Sequence, residues 1–358
     1  MNASIPSDLH KLAGSDSEPA ALSASLPDVY PDDFSEELLD DAEGTGGFDA
    51  TPIIFKLDDS VCGDRLDKVV AKLIPQFSRS RLQQWITGGY VTVDGVAGRS
   101  KMTVLGGEEV VVHPQPAPED NAYEPEAMAL DIVFEDKSML VINKPAGLVV
   151  HPAAGNWSGT LLNGLLHHYP AISGVPRAGI VHRLDKDTSG LMVVAKSLEA
   201  QTDLVRQLQA RTVKREYWAL VWGKPNLSGT IDLPMARHPR DRIKMAVSES
   251  ASAKPAVTHF KRLAVGALEG KAVTLVECRL ETGRTHQIRV HMAHLGFPLV
   301  GDVLYGKQHL ASYFGRQALQ ARRLGLMHPL KQKECAWEVG LAADFTELLV
   351  RAGIQLDG

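Results

Sequence analysis

The sequence has few cysteines and few aromatic residues, and it contains no long apolar run. Its three cysteines, Cys62, Cys278 and Cys335, lie far apart and form no C-x-x-C pair. This pattern excludes a disulfide framework and a zinc knuckle, so each cysteine is expected to be a small buried residue. No stretch reaches the roughly 18 apolar residues of a membrane span, and the first residues do not resemble a signal peptide. We therefore expect a soluble cytoplasmic chain with no membrane partner.

Charge is distributed unevenly along the 358 residues. Residues 1–50 hold twelve acidic side chains and one basic one, whereas residues 51–358 hold 31 acidic and 37 basic ones. The first segment has too few large apolar residues to offset the entropy of folding, so we expect it to be disordered. The basic remainder favours a nucleic-acid partner.

Residues 51–113 predict a compact module of two helices and a small β unit. Apolar residues at helical spacing from Leu66 predict the first helix, and Ser78 is the predicted N-cap of the second. Arg79 and Arg81 fall in the first turn of this second helix, where the helix dipole disfavours cations. Local stability does not explain them, whereas a phosphate contact would. Solvated arginines are the alternative interpretation.

Four prolines and several acidic residues in residues 114–127 indicate an extended linker. Residues 128–358 mix β-rich runs with helices and show no regular βαβ alternation, which predicts an α+β domain on a mostly antiparallel mixed sheet with flanking helices. Thr285 and Asp344 are the predicted N-caps of the last two helices. The predicted helices lie near residues 160–168, 198–211, 285–295 and 344–352.

The densest polar cluster is the loop at residues 182–190, His-Arg-Leu-Asp-Lys-Asp-Thr-Ser-Gly. Loops at a sheet edge are where catalytic groups collect. This loop supplies two carboxylates, Asp185 and Asp187, and the guanidinium of Arg183. A carboxylate near arginines stays ionised even when walled from water, as a nucleophile or general base requires. On its chemistry alone, the loop is equally consistent with a turn closed by aspartate–backbone hydrogen bonds.

A second cluster of cations lies where a predicted strand ends and a helix begins. Arg284 is placed just outside the helix N-terminus and Arg289 about one turn inside, at the pole that repels cations, which indicates an anionic partner. His286 points away from the helix face that carries His291 and His294. The three histidines therefore do not converge on a metal, and a two-histidine site, which would need a nearby carboxylate ligand, is the alternative.

Tyr217 and Trp218 lie on opposite faces of one predicted strand, so one is expected in the core while the other lines a cleft. Residues 201–262 hold twelve basic and five acidic side chains, with an exposed basic stretch at residues 238–245. Basic residues among aromatic ones suit phosphate contacts combined with base stacking. A solvated basic face is the alternative.

Four ordered segments together resemble the signature motifs of the RluA-type pseudouridine synthases. These segments are residues 143–147, 182–190, 215–217 and 282–291. Residues 51–113 resemble the S4-type RNA-binding domain, with matching stretches at 63–67 and 78–81. Stretches between residues 228 and 259 further resemble the D-type branch, which acts on large-subunit ribosomal RNA. One departure is Gln320, where the family pattern has a histidine, and it bears on subtype or local packing.

The resemblance implies a role for each matching residue. Asp185 would be the catalytic aspartate, which either attacks the ribose C1′ or promotes bond cleavage through a glycal intermediate. Arg289 would pair with Asp185 and keep it charged. Tyr217 would stack on the target uracil and take part in removing the C5 proton, so all three are expected catalytic residues. Arg183 would fill the gap left when the uridine is flipped out of its stack. The resemblance also implies RNA or uridine contacts for His182, Arg284, Arg79, Arg81 and Lys144.

The resemblance implies no cofactor and no metal, because the isomerisation conserves every atom of the uridine. The expected partner is large-subunit ribosomal RNA or a pre-ribosomal particle, and the expected state is a monomer. Two other functions remain open. One is a non-catalytic RNA-binding factor in ribosome assembly, and the other is a nuclease in which His182, Asp185 and Asp187 bind a divalent metal.

Overall fold

The computed structural model describes residues 50–116, 122–153 and 155–355. The predicted disordered extension, residues 1–50, therefore lies outside the described residues except for its last one. No helix in these ranges is long and apolar enough to cross a membrane. The described elements form two groups, a small one that ends at Val112 and a larger one that begins at Ile132.

The small group consists of four strands and two α-helices. They are β1 (Ile53–Lys56), α1 (Leu66–Leu73), α2 (Arg79–Thr87), β2 (Val91–Val93), β3 (Val96–Ala97) and β4 (Glu109–Val112). The antiparallel sheet has the order β1-β4-β2-β3. Leu66, Leu82 and Ile86 of the two helices share one core with the valines of β2 and β4. Ser78 caps α2 as predicted, because its hydroxyl accepts a hydrogen bond from the Arg81 amide.

The larger group contains eleven strands and four α-helices within the described residues. In chain order they are β5 (Ile132–Glu135), β6 (Met139–Lys144), α3 (Leu161–His168), β7 (Ser189–Ala195), α4 (Leu198–Gln209), β8 (Lys214–Trp222), β9 (Ser228–Asp232), β10 (Met235–Arg237), β11 (Met245–Val247), β12 (Val257–Leu268), β13 (Lys271–Leu280), α5 (Gln287–His294), β14 (Leu319–Met327), β15 (Glu334–Glu338) and α6 (Ala343–Arg351).

Nine of these strands form one sheet, and β10 and β11 form a separate hairpin. The order in the sheet is β5-β6-β7-β14-β8-β13-β12-β9, and β15 pairs with β14. Neighbouring strands are antiparallel except β7 and β14, which run parallel. The predicted α+β class with a mostly antiparallel mixed sheet is confirmed. β14 joins the half-sheet of β5, β6 and β7 to the half-sheet of β8, β13, β12 and β9.

Apolar side chains cover both faces of this sheet. Along β8, Tyr217 belongs to a core that includes Ile288 of α5. Trp218 packs on the other face, against a core that includes Phe345 of α6. Successive side chains of a strand point to opposite faces, so the predicted placement of Tyr217 and Trp218 on opposite faces is confirmed. The expected division into one core residue and one cleft residue is only partly right, because both side chains pack against a core and Tyr217 also lines a cavity.

The N-termini of α5 and α6 differ from the prediction. The N-cap of α5 is His286 rather than Thr285, and His286 has a left-handed backbone with φ 57°. The N-cap of α6 is Ala342 rather than Asp344, whose carboxylate accepts hydrogen bonds from Arg316 at 2.7 and 2.9 Å. At α6 a tertiary ion pair therefore uses the carboxylate that the sequence pattern assigned to a local capping bond.

Part of the predicted linker is attached to the larger group. The Asn163 side chain in the first turn of α3 donates hydrogen bonds to the carbonyls of Ala122 and Glu124, at 3.0 and 2.8 Å. The Glu126 carboxylate accepts a hydrogen bond from the Gly159 amide. This segment is therefore bound to the start of α3, whereas residues 117–121 lie outside the described residues.

Candidate active site

The polar loop at residues 182–190 leads into β7 at the centre of the sheet. Gly190 has a φ of 113°, and a side chain there would collide with the carbonyl of Ala321 on β14. The glycine therefore allows the close parallel pairing of β7 with β14. The Thr188 amide donates to the carbonyl of Asp185 at 3.0 Å and closes a turn. Strand pairing and this turn together set the point at which the Asp185 side chain leaves the loop.

The ammonium group of Lys144 holds the same loop from inside the protein. Lys144 is 1% exposed, and its Nζ donates to the carbonyls of Pro145, Leu148 and Lys186 at 2.9, 2.8 and 2.9 Å. Burial lowers the pKa of Lys144 to about 7. The three N–H groups of the protonated amine are all used within the protein. The side chain therefore positions the loop that carries Asp185, and the predicted contact of Lys144 with RNA stays a prediction.

Arg289, in the first turn of α5, joins Asp185 to a second carboxylate. Its Nη1 donates to Asp185 Oδ2 at 2.9 Å, while Nε and Nη2 donate to the two oxygens of Asp302 at 2.8 and 3.0 Å. The Asp302 side chain is fully buried and also accepts hydrogen bonds from the amides of Leu304 and Tyr305. The bidentate pair fixes the plane of the guanidinium. Arg289 therefore meets Asp185 as predicted from the sequence, and its catalytic role stays a prediction.

Two rings complete the surroundings of this ion pair. His286 Nδ1 lies 2.7 Å from the hydroxyl of Tyr305, which accepts a hydrogen bond from the Met245 amide at 2.9 Å. His286 Nε2 lies 3.9 Å from Asp185 Oδ1. The guanidinium carbon of Arg289 lies 5.1 Å from the centre of the Tyr305 ring. No described residue donates a hydrogen bond to Asp185 Oδ1, and the Asp185 side chain keeps 17% of its surface exposed.

Asp185 and Tyr217 line a common cavity of about 270 Å³. Tyr217 is buried, with 6% of its surface exposed. Apolar side chains of the same cavity suit a planar base, and its cations suit the negative charge of a nucleic acid. The apolar members include Leu280, Ile288 and Leu319, and the cationic ones are Arg183, Arg211, Arg215, Arg284 and Arg289.

The charges around Asp185 keep its carboxylate ionised despite burial. Burial raises the pKa of Asp185, but His286, Arg289 and Arg183 together lower it below the ordinary aspartate value. Burial raises the pKa of Tyr217, so its hydroxyl stays protonated at neutral pH. The cavity therefore combines a charged carboxylate with a neutral phenol.

The other residues predicted around the catalytic loop are placed in different ways. Arg183 and Arg284 both line the cavity. Arg183 is exposed, whereas Arg284 is half-buried and its Nε donates to the Pro255 carbonyl at 3.2 Å. His182 is buried, and its Nε2 accepts a hydrogen bond from the Val193 amide at 3.1 Å. Burial lowers the pKa of His182 to about 3, so the ring is neutral. His182 thus supports β7, and its contact with a uridine stays a prediction.

The two first-turn arginines of α2 have partners inside the small group. Arg79 Nη2 lies 2.7 Å from Asp67 Oδ2 in α1. Arg81 lies over the rings of Phe77 and Trp85, at 5.2 and 5.4 Å from their centres. These contacts explain cations at this pole of the helix, so the argument that local stability leaves them unexplained is wrong. The Arg79 side chain is 51% exposed, and its contact with RNA stays a prediction.

Known proteins match both groups of elements. The model of the RNA pseudouridylate synthase family matches residues 138–294, and the S4 domain model matches residues 64–110. A relative from Nitrosomonas europaea, named ribosomal large subunit pseudouridine synthase D, is 51% identical over 298 residues, 81% of this chain and 85% of the relative. A relative of the same name from Escherichia coli (strain K12) is 48% identical over 300 residues, 80% of this chain and 90% of the relative. This chain belongs to the RNA pseudouridylate synthase family.

Solved structures of human members share the fold of this pseudouridylate synthase. Human RNA pseudouridylate synthase domain containing 1 is 27% identical with a TM-score of 0.50, over 65% of this chain and 100% of that one. Human RNA pseudouridylate synthase domain containing 4 is 28% identical with a TM-score of 0.50, over 63% of this chain and 94% of that one. About a third of this chain therefore has no counterpart in either human structure.

The Gln320 side chain of this synthase is buried and makes hydrogen bonds to three neighbouring residues. The residue is 1% exposed, and its Nε2 donates to the Gly340 carbonyl at 2.7 Å. Its Oε1 accepts hydrogen bonds from the Ala342 amide at 2.8 Å and from the Ser189 hydroxyl at 3.4 Å. Gln320 thus joins β14 to β7 and to the start of α6. These contacts favour the packing interpretation of the departure from the family pattern.

Sequence reasoning missed Asp302 and Tyr305 of this synthase, because both lie beyond the four motifs. A partial signal for Asp302 existed in Arg289 itself, since a guanidinium has five N–H groups and one carboxylate leaves some of them without an acceptor. No sequence pattern pointed to Tyr305. In the described ranges no three or more His, Cys, Asp or Glu side chains are grouped to hold a metal ion, so the nuclease interpretation has no ligand set there.

Proposed function

We propose that this chain isomerises specific uridines of large-subunit ribosomal RNA to pseudouridine. The observation that carries the proposal is one carboxylate, Asp185, held ionised by Arg289 in a cavity that also contains Tyr217. An isomerisation within one nucleotide needs a charged group in a pocket that retains the detached base. The names of the relatives from Nitrosomonas europaea and Escherichia coli support large-subunit ribosomal RNA as the substrate.

Asp185 acts through Oδ1, which receives no hydrogen bond from a described residue, while Arg289 engages Oδ2. Two routes remain open for this oxygen, attack on the ribose C1′ or removal of the C2′ proton to give a glycal. In both routes the N1–C1′ bond breaks, the uracil turns within the cavity, and C5 bonds to C1′. Tyr217 stacks on the uracil, and its raised pKa keeps it neutral.

The target uridine reaches this cavity by flipping out of its stack. Arg183, exposed at the cavity, fills the gap that the base leaves, and Arg284 and His182 contact the uridine or its neighbours. The exposed Arg240 and Arg242, between β10 and β11, supply phosphate contacts that do not depend on sequence.

RNA binding and catalysis are assigned to the two predicted domains. Residues 51–113 are an S4-like RNA-binding domain to which Arg79 and Arg81 contribute, and residues 128–358 are the catalytic domain. Removing residues 51–113 is expected to weaken RNA binding and to raise the RNA concentration needed for half-maximal activity. Unchanged RNA affinity would contradict this role. The enzyme acts as a cytoplasmic monomer.

Pseudouridine mapping of ribosomal RNA tests the function directly. Cells that lack the protein are complemented with the wild type or with Asp185→Asn, and both proteins are checked for equal abundance. We expect sites that vanish on deletion and return only with the wild type. Sites that return with Asp185→Asn, or a map that deletion leaves unchanged, would favour the non-catalytic assembly factor or another RNA substrate.

A further inference from the structure

Arg215 is a cavity-lining cation to which the chemistry above gives no role. It lies two residues before Tyr217 on β8, so both side chains emerge on the same face of the sheet. Arg215 is 8% exposed. Its Nη2 donates to the Glu281 carbonyl at 3.2 Å, whereas its buried Nε has no hydrogen-bond partner.

The charge of Arg215 has no carboxylate partner among the described residues. Burial lowers its pKa, and the neighbouring Tyr217 only partly offsets this effect. Leaving a buried cation without a counter-charge costs folding free energy. Arg215 therefore does not stabilise the fold through its charge. A ligand that binds beside it explains its presence better.

The other arginines of the cavity are placed differently. Arg289 is engaged by Asp185 and Asp302. Arg211 is exposed and lies 3.4 Å from a carboxylate oxygen of Glu281. Arg183 is exposed, and Arg284 is half-buried and bonded to a carbonyl. Of these five arginines, Arg215 is the one that is buried and has no carboxylate partner among the described residues.

The surrounding backbone leaves space for this guanidinium. Gly283, in the turn between β13 and α5, lies beside it, and a side chain at Gly283 would overlap Arg215 Nη1. The Glu281 carbonyl, two residues earlier, fixes Nη2. The guanidinium is therefore held in one place at the cavity.

We propose that Arg215 is a catalytic residue that stabilises the negative charge of the detached uracil. This inference rests on the proposed function and extends it. When the N1–C1′ bond breaks, its electron pair stays with the uracil, and the charge spreads over N1, O2 and O4. An N–H group of Arg215 donates to one of these carbonyl oxygens. C5 then forms the bond to C1′, and the Asp185 carboxylate, free again after this step, takes the C5 proton. One proton passes to N1 in return, so the product is a neutral isomer and no co-reactant is needed.

The negative charge on the uracil exists only between cleavage of the N1–C1′ bond and formation of the C5–C1′ bond, so an interaction with it affects the reaction rate. Bound uridine and bound pseudouridine are neutral bases, whereas the intermediate between them is an anion. A fixed cation in a water-poor cavity therefore favours the intermediate and its flanking transition states over the ground states. The contact should change the rate of conversion far more than the affinity for RNA.

Single-turnover conversion of a large-subunit RNA transcript by Arg215→Met tests the proposal. Wild-type activity on the transcript is measured first, and its absence would contradict the proposed function rather than the role of Arg215. With an active wild type, we expect the variant to lose about 10²-fold in rate constant, the typical effect of removing one oxyanion donor. RNA affinity should stay unchanged, and the melting temperature should be unchanged or raised, because a buried unpaired charge is gone.

A second substrate separates charge stabilisation from a structural role. Fluorine at C5 of the target uridine withdraws electrons and stabilises the uracil anion without help from the protein. We therefore expect Arg215→Met to slow consumption of the 5-fluorouridine RNA less than that of the uridine RNA. Equal slowing of both substrates would overturn the proposal, as would a normal rate with uridine.

Two further variants complete the experiment. Arg215→Lys keeps the charge, so its rate with uridine RNA should lie between those of Arg215→Met and the wild type. A rate no higher than that of Arg215→Met would overturn the assignment. Arg322→Met is the matched control, because Arg322 stacks on Trp218 on the other face of the sheet and pairs with Glu338 at 2.9 Å. It should convert RNA at the wild-type rate.

Discussion

Each group of elements contains a buried aspartate held by arginine, and the two aspartates differ in how many of their acceptor sites are used. Asp67 in the small group is fully buried, and its oxygens accept hydrogen bonds from Arg65, Arg79 and Gln83. Among the described residues, Arg289 alone donates a hydrogen bond to the Asp185 carboxylate in the larger group, and this side chain keeps part of its surface exposed. The same pair of residue types therefore joins two helices in the small group, and in the larger group it leaves one carboxylate oxygen without a hydrogen bond from a described residue.

A lowered pKa alone does not distinguish these two aspartates. Burial raises the pKa of Asp67, but Arg79, Gln83 and Arg65 lower it to about 2. The pKa of Asp185 is also lowered by its cationic neighbours. Structural ion-pair networks and catalytic groups perturb pKa values alike. Asp185 differs from Asp67 in its second oxygen, which accepts no hydrogen bond from a described residue, and in the adjoining cavity, and these two features support its proposed role.

Arg289→Met is expected to have the largest effect, because it removes the hydrogen bond that Arg289 donates to Asp185. We expect the rate of conversion to fall on the order of 10³-fold while RNA affinity is largely kept. The pKa of Asp185 should rise, and because the ionised form is the active one, the acid limb of any residual pH–rate profile should move to higher pH. Single-turnover rates across pH measure both effects, and normal turnover would contradict the role of Arg289.

Lys144→Met tests whether the loop that carries Asp185 needs its internal support. The change leaves the carbonyls of Pro145, Leu148 and Lys186 without their donor, so the loop should shift. A displacement of about 1 Å at a catalytic group costs roughly 10²-fold in rate. We expect a loss of this order in single-turnover conversion with RNA affinity unchanged. The exposed Lys137 is the matched control, and equal losses in Lys137→Met and Lys144→Met would refute the explanation.

Asp67→Ala tests the structural role of Asp67, the aspartate whose two oxygens both accept hydrogen bonds. Its removal deprives Arg79 and Gln83 of their acceptor and should destabilise the small group by about 2 kcal/mol while conversion at saturating RNA stays near normal. The pKa of Asp67 is lowered from 3.8 to about 2, so its stabilising contribution is present above pH 4 and is lost as pH falls towards 2. Urea unfolding of residues 51–113 at several pH values, followed by the fluorescence of Trp85, measures the change. A pH-independent difference between wild type and variant over this range would contradict it.

Gln320→Ala is expected to have the smallest effect. The change leaves the Ala342 amide and the Gly340 carbonyl without partners, which should lower the free energy of unfolding by about 1 to 2 kcal/mol. Gln320→His restores the residue of the family pattern and should keep more of the stability than alanine. Thermal unfolding of the two variants measures the difference, and alanine as stable as the wild type would show that these bonds contribute nothing.

The sequence predicted those parts of the site that lie within contiguous motifs. Asp185, Arg289 and Tyr217 each belong to a short segment with a recognisable order, so their meeting in one cavity followed from the resemblance. The internal contacts of Lys144 and Arg79 could not be predicted from the sequence. A charged residue is expected at the surface unless its partner in another element is known. The partner of Arg79 lies 12 positions away and one carbonyl that binds Lys144 lies 42 positions away.

The elements themselves were more predictable than their ends. Periodic apolar residues predicted the helices and most strands, since burial of one face decides them. The N-cap of α5 was missed because a left-handed residue, His286, precedes the helix. The N-cap of α6 was missed because Arg316 takes the carboxylate of Asp344. Tertiary contacts thus outweighed local capping preferences at both helices.

The position of β14 between β7 and β8 has a consequence for the order in which the chain is synthesised. Asp185 precedes β7 in one half-sheet, Tyr217 lies on β8 in the other, and Arg289 lies on α5, which follows β13 of that second half-sheet. Among the described strands, β14 is the one that pairs with both β7 and β8. β14 is Leu319–Met327, more than a hundred residues after Asp185. Contacts this distant in sequence form late in folding. A nascent chain that ends before β14 therefore lacks the strand that joins the two half-sheets, and we expect such a chain to be inactive.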